Sequence, residues 1–376
     1  MKIQEFNVGP KFIFGHGATA KLSELSIKKA YIICDPFIVK SQMIKTVLDI
    51  LEKKDVETAI FSHIVPDPTI EIISESVVEI KQFCPDVVIA FGGGSAIDAA
   101  KAVVKVYTES AKVEKPTVIA IPTTSGTGSE NTAFSVVSDP TRNEKYALVD
   151  KALVPEIAIL DSVYTMSVPA QVTADTGMDV LTHCLEAYVS SNASDFSDAC
   201  AEKGINLTWK YLIDSYKSTT NEFAREKMHN ASSLAGLAFN NAGLGICHSL
   251  SHAIGAFFHV PHGRINALLL PHVIVFNASL TEEGETVTTR RYAQIANMLQ
   301  LYGTSSKQCV RALNYAIRSL TNRLNMPATI EELGIDCEEF NRRIPEMAQR
   351  AIADACTPTN PRPVTVKQLE DIYRGL

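Results

Sequence analysis

The sequence is poor in the features that exported, membrane-spanning and nucleic-acid-binding chains need. Its eight cysteines, at positions 34, 84, 184, 200, 247, 309, 337 and 356, include no CxxC pair and are too sparse in 376 residues for a disulfide-stapled scaffold. Reduced thiols and a cytoplasmic location are therefore expected. No stretch stays apolar for eighteen residues, and the opening MKIQEFNVGPKFIFGHG has neither an apolar core nor a small-residue cleavage site, so neither membrane insertion nor export is expected. The 35 Lys and Arg residues form no basic block and are outnumbered by 42 Asp and Glu, giving a formal charge of −7 that disfavours nucleic acid and acidic membranes as partners. Internal repeats, low-complexity tracts and Pro- or Ser-rich linkers are missing as well, so the expectation is of abutting domains with a cleft that takes a small molecule.

What is present is apolar substance: 46% of the residues, in a chain longer than one hydrophobic core usually supports, implying two domains. Up to about residue 165, short β-branched runs alternate with helical patterns, the rhythm of a parallel sheet with crossover helices. Strands are expected at Tyr31–Cys34, Glu57–Ser62, Asp86–Phe91, Thr117–Ile121 and Ile157–Leu160. Between them Met43, Ile44, Val47, Leu48 and Leu51, and then Ile73, Val77 and Ile80, recur at helical spacing. After Ser167-Val168-Pro169 the β-branched runs disappear, and Asp175–Ser190, Ser197–Lys217 and Arg225–Asn241 read as long helices. The expected architecture is an α/β domain with a parallel sheet over residues 1–168, followed by an all-helical domain over 169–376.

The buried-strand run Asp86–Phe91 leads directly into Gly92-Gly93-Gly94-Ser95 and a helical Ala96–Tyr107. Glycines at a strand-to-helix turn let backbone approach a pyrophosphate, which the free N–H groups and dipole of the helix start favour. The run is not GxGxxG, and three glycines alone fit a ligand-free turn equally well. A second strand ends in Thr123-Thr124-Ser125-Gly126-Thr127-Gly128-Ser129-Glu130, rich in hydroxyl donors, and the carboxyl ends of neighbouring parallel strands converge on one crevice. Asp35, at the end of another strand, is placed to accept from ribose hydroxyls and to repel a 2′-phosphate, which favours NAD over NADP; an ordinary turn residue before Pro36 would look the same.

Five of the nine histidines fall between positions 248 and 272. His248 and His252 lie four apart on one helical face, and Pro261 is expected to end that helix so that His262 starts the next. Upstream, Asp179 and His183 are also four apart. A carboxylate and three imidazoles from separate helices, Asp179, His183, His248 and His262, suit Fe²⁺, Zn²⁺, Ni²⁺ or Mn²⁺ better than the hard cations that prefer oxygen alone. Spacing does not choose among them, and a single histidine is more often a core or surface residue than a ligand. Cys184 and Cys247, beside ligand positions, point away from them on their helices.

On Phe14-Gly15-His16-Gly17, Gly92–Lys101, Thr123–Glu130, Gly177–Glu186 and the stretch from Asn230 to His272, nearly the whole chain resembles the iron-containing alcohol dehydrogenase family. The resemblance implies a nucleotide-binding α/β domain joined to a helical metal domain, and iron, or alternatively zinc, on Asp179, His183, His248 and His262. It also implies His252 beside the substrate, phosphate contacts at Gly93, Gly94 and Ser95, nucleotide contacts at Thr124 and Thr127, and Lys145 near the nicotinamide ribose. An acidic residue at Asp35 goes with NAD, and Phe134, Phe239 and Cys356 fall at substrate-pocket positions. A homodimer or higher homo-oligomer is the implied assembly. Glycerol dehydrogenases and dehydroquinate synthases share the architecture, but the acid-plus-three-histidine pattern is closer to the primary-alcohol branch; the Ser125–Ser129 segment varies from related members.

The expected reaction is NAD-linked interconversion of a small primary alcohol or diol and its aldehyde, with a metal as Lewis acid. His252 either relays a proton or orients a ligand. A polyol dehydrogenase or dehydroquinate-synthase-like enzyme is the alternative within the fold. A synthase acting on a polyol phosphate would call for several basic residues, whereas Arg264 is the sole one from Gly245 to Val273. A metal-dependent hydrolase predicts turnover without nicotinamide, and a sensor would bind both ligands and turn over neither.

Overall fold

The computed structural model describes residues 3–141 and 144–376, without the side chains of residues 144 and 145. It separates into two compact units. One comprises Asn7–Val168 with Thr220–Leu237, and the other holds Pro169–Thr219, Ala238–Leu376 and the N-terminal residues up to Phe6.

In the first unit the β-branched runs form strands β1 (Lys11–Phe14), β2 (Lys29–Cys34), β3 (Glu57–Phe61), β4 (Val87–Gly92), β5 (Thr117–Pro122) and β8 (Ile157–Leu160), joined in one sheet of order β1-β8-β5-β4-β2-β3. Every pairing is parallel. β4 is buried along its whole length, as a central parallel strand covered on both faces must be. Alternation sends its side chains into two cores: Val88 and Ala90 pack with α3 (Ile70–Phe83) and α4 (Gly94–Ala111), while Val87, Ile89 and Phe91 pack on the opposite face with α2 (Ile44–Glu52). The chain runs from β2 outward to β3 and then returns to β4 on β2's other side, so the strand order reverses between β2 and β4. Crevices at the carboxyl ends of strands at such a reversal are the usual ligand sites of open α/β sheets.

Three strands lie outside the sequence-based set. β1 is four residues at the sheet edge, and β6 (Phe134–Asp139) and β7 (Glu144–Val149) form a separate antiparallel pair. Each is short and half-exposed or broken by polar residues, so none carries the long apolar run that marks a buried strand. The short α1 (Pro36–Lys40) starts immediately after β2.

The second unit is helical: α5 (Ala170–Val189), α6 (Asp195–Lys217), the end of α7 (Glu222–Ala242), α8 (Ile246–Phe258), α9 (His262–Asn277), α10 (Val287–Met298), α11 (Ser306–Arg323), α12 (Cys337–Ala353) and α13 (Val366–Arg374). α5 is buried on nearly all sides, so its polar residues Asp175, Asp179, His183 and Glu186 must find partners inside the protein. α8 ends at Phe258, before Pro261, because His259 turns into the left-handed region at φ 54° and closes the helix on the Gly255 carbonyl. Pro261 then directly precedes α9. A Cβ on Gly263 would lie 2.0 Å from the Asp175 carbonyl oxygen, so only glycine lets the first turn of α9 come this close to α5. Arg264 locks the same contact with two bonds to the Asp175 carboxylate, at 3.0 and 2.8 Å.

Candidate functional site

Three helices of the second unit bring the acid and the histidines together. α5 supplies Asp179, His183 and Glu186 from one face, α8 supplies His248 and His252, and α9 supplies His262 and Asn266. One donor atom each from Asp179, His248 and His262 lie within 4.8 Å of one another. Asp179 Oδ1 stands 3.6 Å from His248 Nε2 and 3.7 Å from His262 Nε2. The Asn266 amide nitrogen donates to Asp179 Oδ1 at 2.8 Å and lies 3.3 and 3.1 Å from those two imidazole nitrogens. Three potential ligand atoms thus converge, the arrangement a divalent cation requires once they are deprotonated.

His183 stands beside this group rather than inside it. Its ring stacks between Phe239, at 4.6 Å, and His248, at 4.5 Å. Its Nδ1 is buried, has no hydrogen-bond partner, and lies 3.9 Å from Asp179 Oδ2. An unpaired buried imidazole nitrogen costs about 1–3 kcal/mol, and a ligand that takes its lone pair removes that cost. The donor set therefore fits a transition-metal ion.

Glu186, to which the sequence reading assigned no role, organises the centre. Its carboxylate accepts the free backbone N–H groups at the start of α8, from Gly245 at 3.0 Å, Cys247 at 2.7 Å and His248 at 3.4 Å. It also lies 2.6 Å from His248 Nδ1, which directs that ring proton to Glu186 and turns Nε2 toward Asp179. Ser251 Oγ is likewise 2.9 Å from His262 Nδ1.

Burial and neighbouring charge set the protonation states of the cluster. Burial holds His183 down at about 4 despite the neighbouring carboxylate. His262 is also held well below its ordinary value by burial and the surrounding imidazoles, although a third of its side chain meets solvent. Burial alone would raise Asp179, but His183, His248 and His262 keep its carboxyl below the usual range. His248 goes the other way: burial pushes it down, and hydrogen bonds with Asp179 and Glu186 lift it to about 9, so without a cation Nε2 carries a proton toward Asp179 that a bound cation would displace.

His252 is half-exposed, stacks on His262 at 5.0 Å, and has Nδ1 2.9 Å from Asp354 Oδ2. Asp354 caps the C-terminus of α12 and accepts the Cys356 N–H at 2.8 Å. Burial and Asp354 push the Cys356 thiol well up. Asp354 and Asn266 are the other residues passed over in sequence. Asn266 repeats the four-residue spacing after His262, whereas nothing local ties Asp354 to a histidine 102 positions earlier.

In the first unit the glycine turn and the hydroxyl-rich loop lie together. Gly93 caps α4, with Ser95 in the first turn, and a Cβ on Gly93 would be 3.5 Å from Thr124 Oγ1. On Gly94 it would be 2.7 Å from Thr127 Cγ2, so this glycine is what lets loop and helix meet. Asp35 Oδ1 accepts the N–H groups of Phe37 and Ile38 at the start of α1, and Oδ2 faces Gly92. Buried Lys101 fixes the loop beyond Thr127 by donating to Ser129 Oγ, Thr132 O, Thr132 Oγ1 and Phe134 O, all at 2.9–3.0 Å. His229 on α7 holds Ser125 through a 3.0 Å contact between Nδ1 and Oγ. Phe134 begins β6; Lys145 is on β7, its side chain outside the described residues.

Comparison with known proteins gives these features a relationship. Residues 9–162 match the profile described as iron-containing alcohol dehydrogenase, and residues 173–376 match that of the Fe-containing alcohol dehydrogenase family, C-terminal. The chain is 43% identical to a 1-propanol dehydrogenase of Citrobacter freundii over 100% of both sequences. It is 37% identical to an NADPH-dependent butanol dehydrogenase of Clostridium saccharobutylicum, covering 99% of this chain and 97% of that one. Among solved structures, a 1,3-propanediol oxidoreductase superposes over 100% of both chains with a TM-score of 0.92 at 30% identity. The chain belongs to the iron-containing alcohol dehydrogenase family.

Proposed function

We propose that this enzyme interconverts a short primary alcohol or diol and its aldehyde, using NAD and a divalent metal, Fe²⁺ or alternatively Zn²⁺, held by Asp179, His183, His248 and His262. The observation that carries the reading is the convergence of Asp179 Oδ1, His248 Nε2 and His262 Nε2 on the Asn266 amide, with the unpaired His183 nitrogen alongside. When bound, the metal supplies a Lewis acid at the substrate oxygen and the nicotinamide supplies or accepts hydride. The chain's own residues do the positioning. Gly93, Gly94, Ser95, Thr124, Thr127 and Lys145 hold the nucleotide, and Phe134, Phe239 and Cys356 are assigned to the substrate. His252, with Nδ1 on Asp354, exchanges the substrate's proton with solvent, which its half-exposed ring reaches.

Asp35 argues for NAD. With Oδ1 already bonded to the start of α1, its charge stays beside Gly92, where a 2′-phosphate would be repelled. Arg264 is committed to Asp175, which leaves no basic residue of the Gly245–Val273 stretch for a substrate phosphate and disfavours the synthase alternative. A cytoplasmic homodimer completes the proposal, and light scattering is the check on the assembly.

Protein purified without oxygen, stripped, reloaded with Fe²⁺ or Zn²⁺ and given NADH with a panel of short aldehydes is expected to oxidise NADH only when metal is present. His262→Ala should abolish that turnover. Substrate hydrolysis without any nicotinamide would favour the hydrolase instead.

A further inference from the structure

We propose that His252, Asp354 and Cys356 form a second cation site, one that takes a soft divalent ion such as Zn²⁺ or Cd²⁺ and inhibits the enzyme when filled. One donor atom from each residue falls within 4.8 Å of the others, in a set that shares no residue with Asp179, His248 and His262. The cluster is held in place from two directions. His252 Nδ1 lies 2.9 Å from Asp354 Oδ2, and the Cys356 N–H donates to Asp354 Oδ1 at 2.8 Å, a tight turn that keeps the thiol beside the carboxylate. Ser249 Oγ adds a third bond to Asp354 Oδ1 at 3.3 Å, tying this carboxylate to α8.

The donor chemistry selects the ion. One imidazole nitrogen, one carboxylate oxygen and one sulfur suit Zn²⁺ or Cd²⁺, whereas Mg²⁺ and Ca²⁺ prefer oxygen throughout. Three protein donors leave a fourth position for water, and solvent reaches the site because the His252 side chain is 47% exposed and that of Asp354 is 20% exposed. Binding replaces the Cys356 S–H with a sulfur–metal bond and passes the thiol proton to the buffer, with no change of oxidation state. Inhibition follows from position. His252 stacks on His262, and an ion that ties His252 and Asp354 together removes both from the proton path.

The test uses iron-loaded holoenzyme titrated anaerobically with Cd²⁺. The readouts are the ultraviolet sulfur-to-cadmium charge-transfer band, bound iron and cadmium by elemental analysis, and NADH oxidation. One equivalent of Cd²⁺ should bind with the band, retained iron and loss of turnover. Cys356→Ser should abolish the band and weaken Cd²⁺ binding by at least the ~10-fold that loss of an outer-shell partner costs a metal site. A Cys84→Ser, Cys337→Ser double variant, which removes the two exposed thiols, should keep both. A band that survives Cys356→Ser or vanishes in the double variant, inhibition accompanied by iron loss, or the absence of a bound second ion would each overturn the proposal. The thiolate band reports on the site whether or not the protein turns over an alcohol, so its failure is distinct from failure of the dehydrogenase reading.

Discussion

Glu186 shows how one buried carboxylate can set the chemistry of its neighbours. It caps α8 and orients the His248 ring with the same two oxygens. Glu186→Gln keeps the size but places a donor against N–H groups, so metal affinity measured by chelator competition is expected to fall about 10–100-fold. Unchanged affinity would remove Glu186 from this role. Asp35→Gly is expected to raise the ratio of NADPH to NADH utilisation, read as relative kcat/KM, by removing the charge that repels a 2′-phosphate. His229 gives a pH signature. Burial lowers it from 6.5 to about 4, so between those values the unfolded chain carries the proton and the folded chain does not. Its contribution to stability is therefore complete above pH 6.5 and is lost as pH falls through about 4. Thermal unfolding across that range should show a shallower pH dependence in His229→Gln than in the parent protein. Sequence made Asp179, His183, His248 and His262 visible because helical spacing is local. It hid Asp354, whose partner His252 is brought to it only by the packing of α12 beside α8.

The acid–histidine cluster depends on how closely three helices approach, and Gly263 sets one of those distances. Gly263→Ala would put a methyl group on the Asp175 carbonyl and push α9 away from α5. A loss of about 1–3 kcal/mol in stability is expected from such overpacking, with weaker metal binding because His262 and Asp179 separate. Denaturant unfolding and metal titration would measure the two effects, and a variant that keeps both would show that the contact is not what aligns the donors. The long helices were legible because apolar residues recur at helical spacing, and β2, β4, β5 and β8 because buried parallel strands are continuous apolar runs. β1, β6 and β7 were not. Their residues alternate only weakly, and their partners lie across a turn or, for β1, on a strand that begins at Ile157.

At the scale of the whole molecule, no helix of the described residues is long and apolar enough to cross a membrane. Composition could not reveal that Thr220–Leu237, helical like the second half, belongs with the sheet-containing unit. Local pattern reports the type of an element and not the core it joins. The glycine turn and the hydroxyl-rich loop lie in one unit and the acid–histidine cluster in the other. His262→Ala is accordingly expected to bind NADH with a Kd close to that of the parent while losing metal, as fluorescence titration would show. The central claim is that one divalent ion on the aspartate and three histidines makes NAD-linked alcohol chemistry possible. Its most direct test adds Fe²⁺ stepwise to metal-free protein with NADH and propanal under anaerobic conditions, recording turnover against bound iron. The account expects turnover to rise in proportion to iron and to level off at one ion per chain; turnover without metal, or none at full loading across a range of short aldehydes, would contradict it.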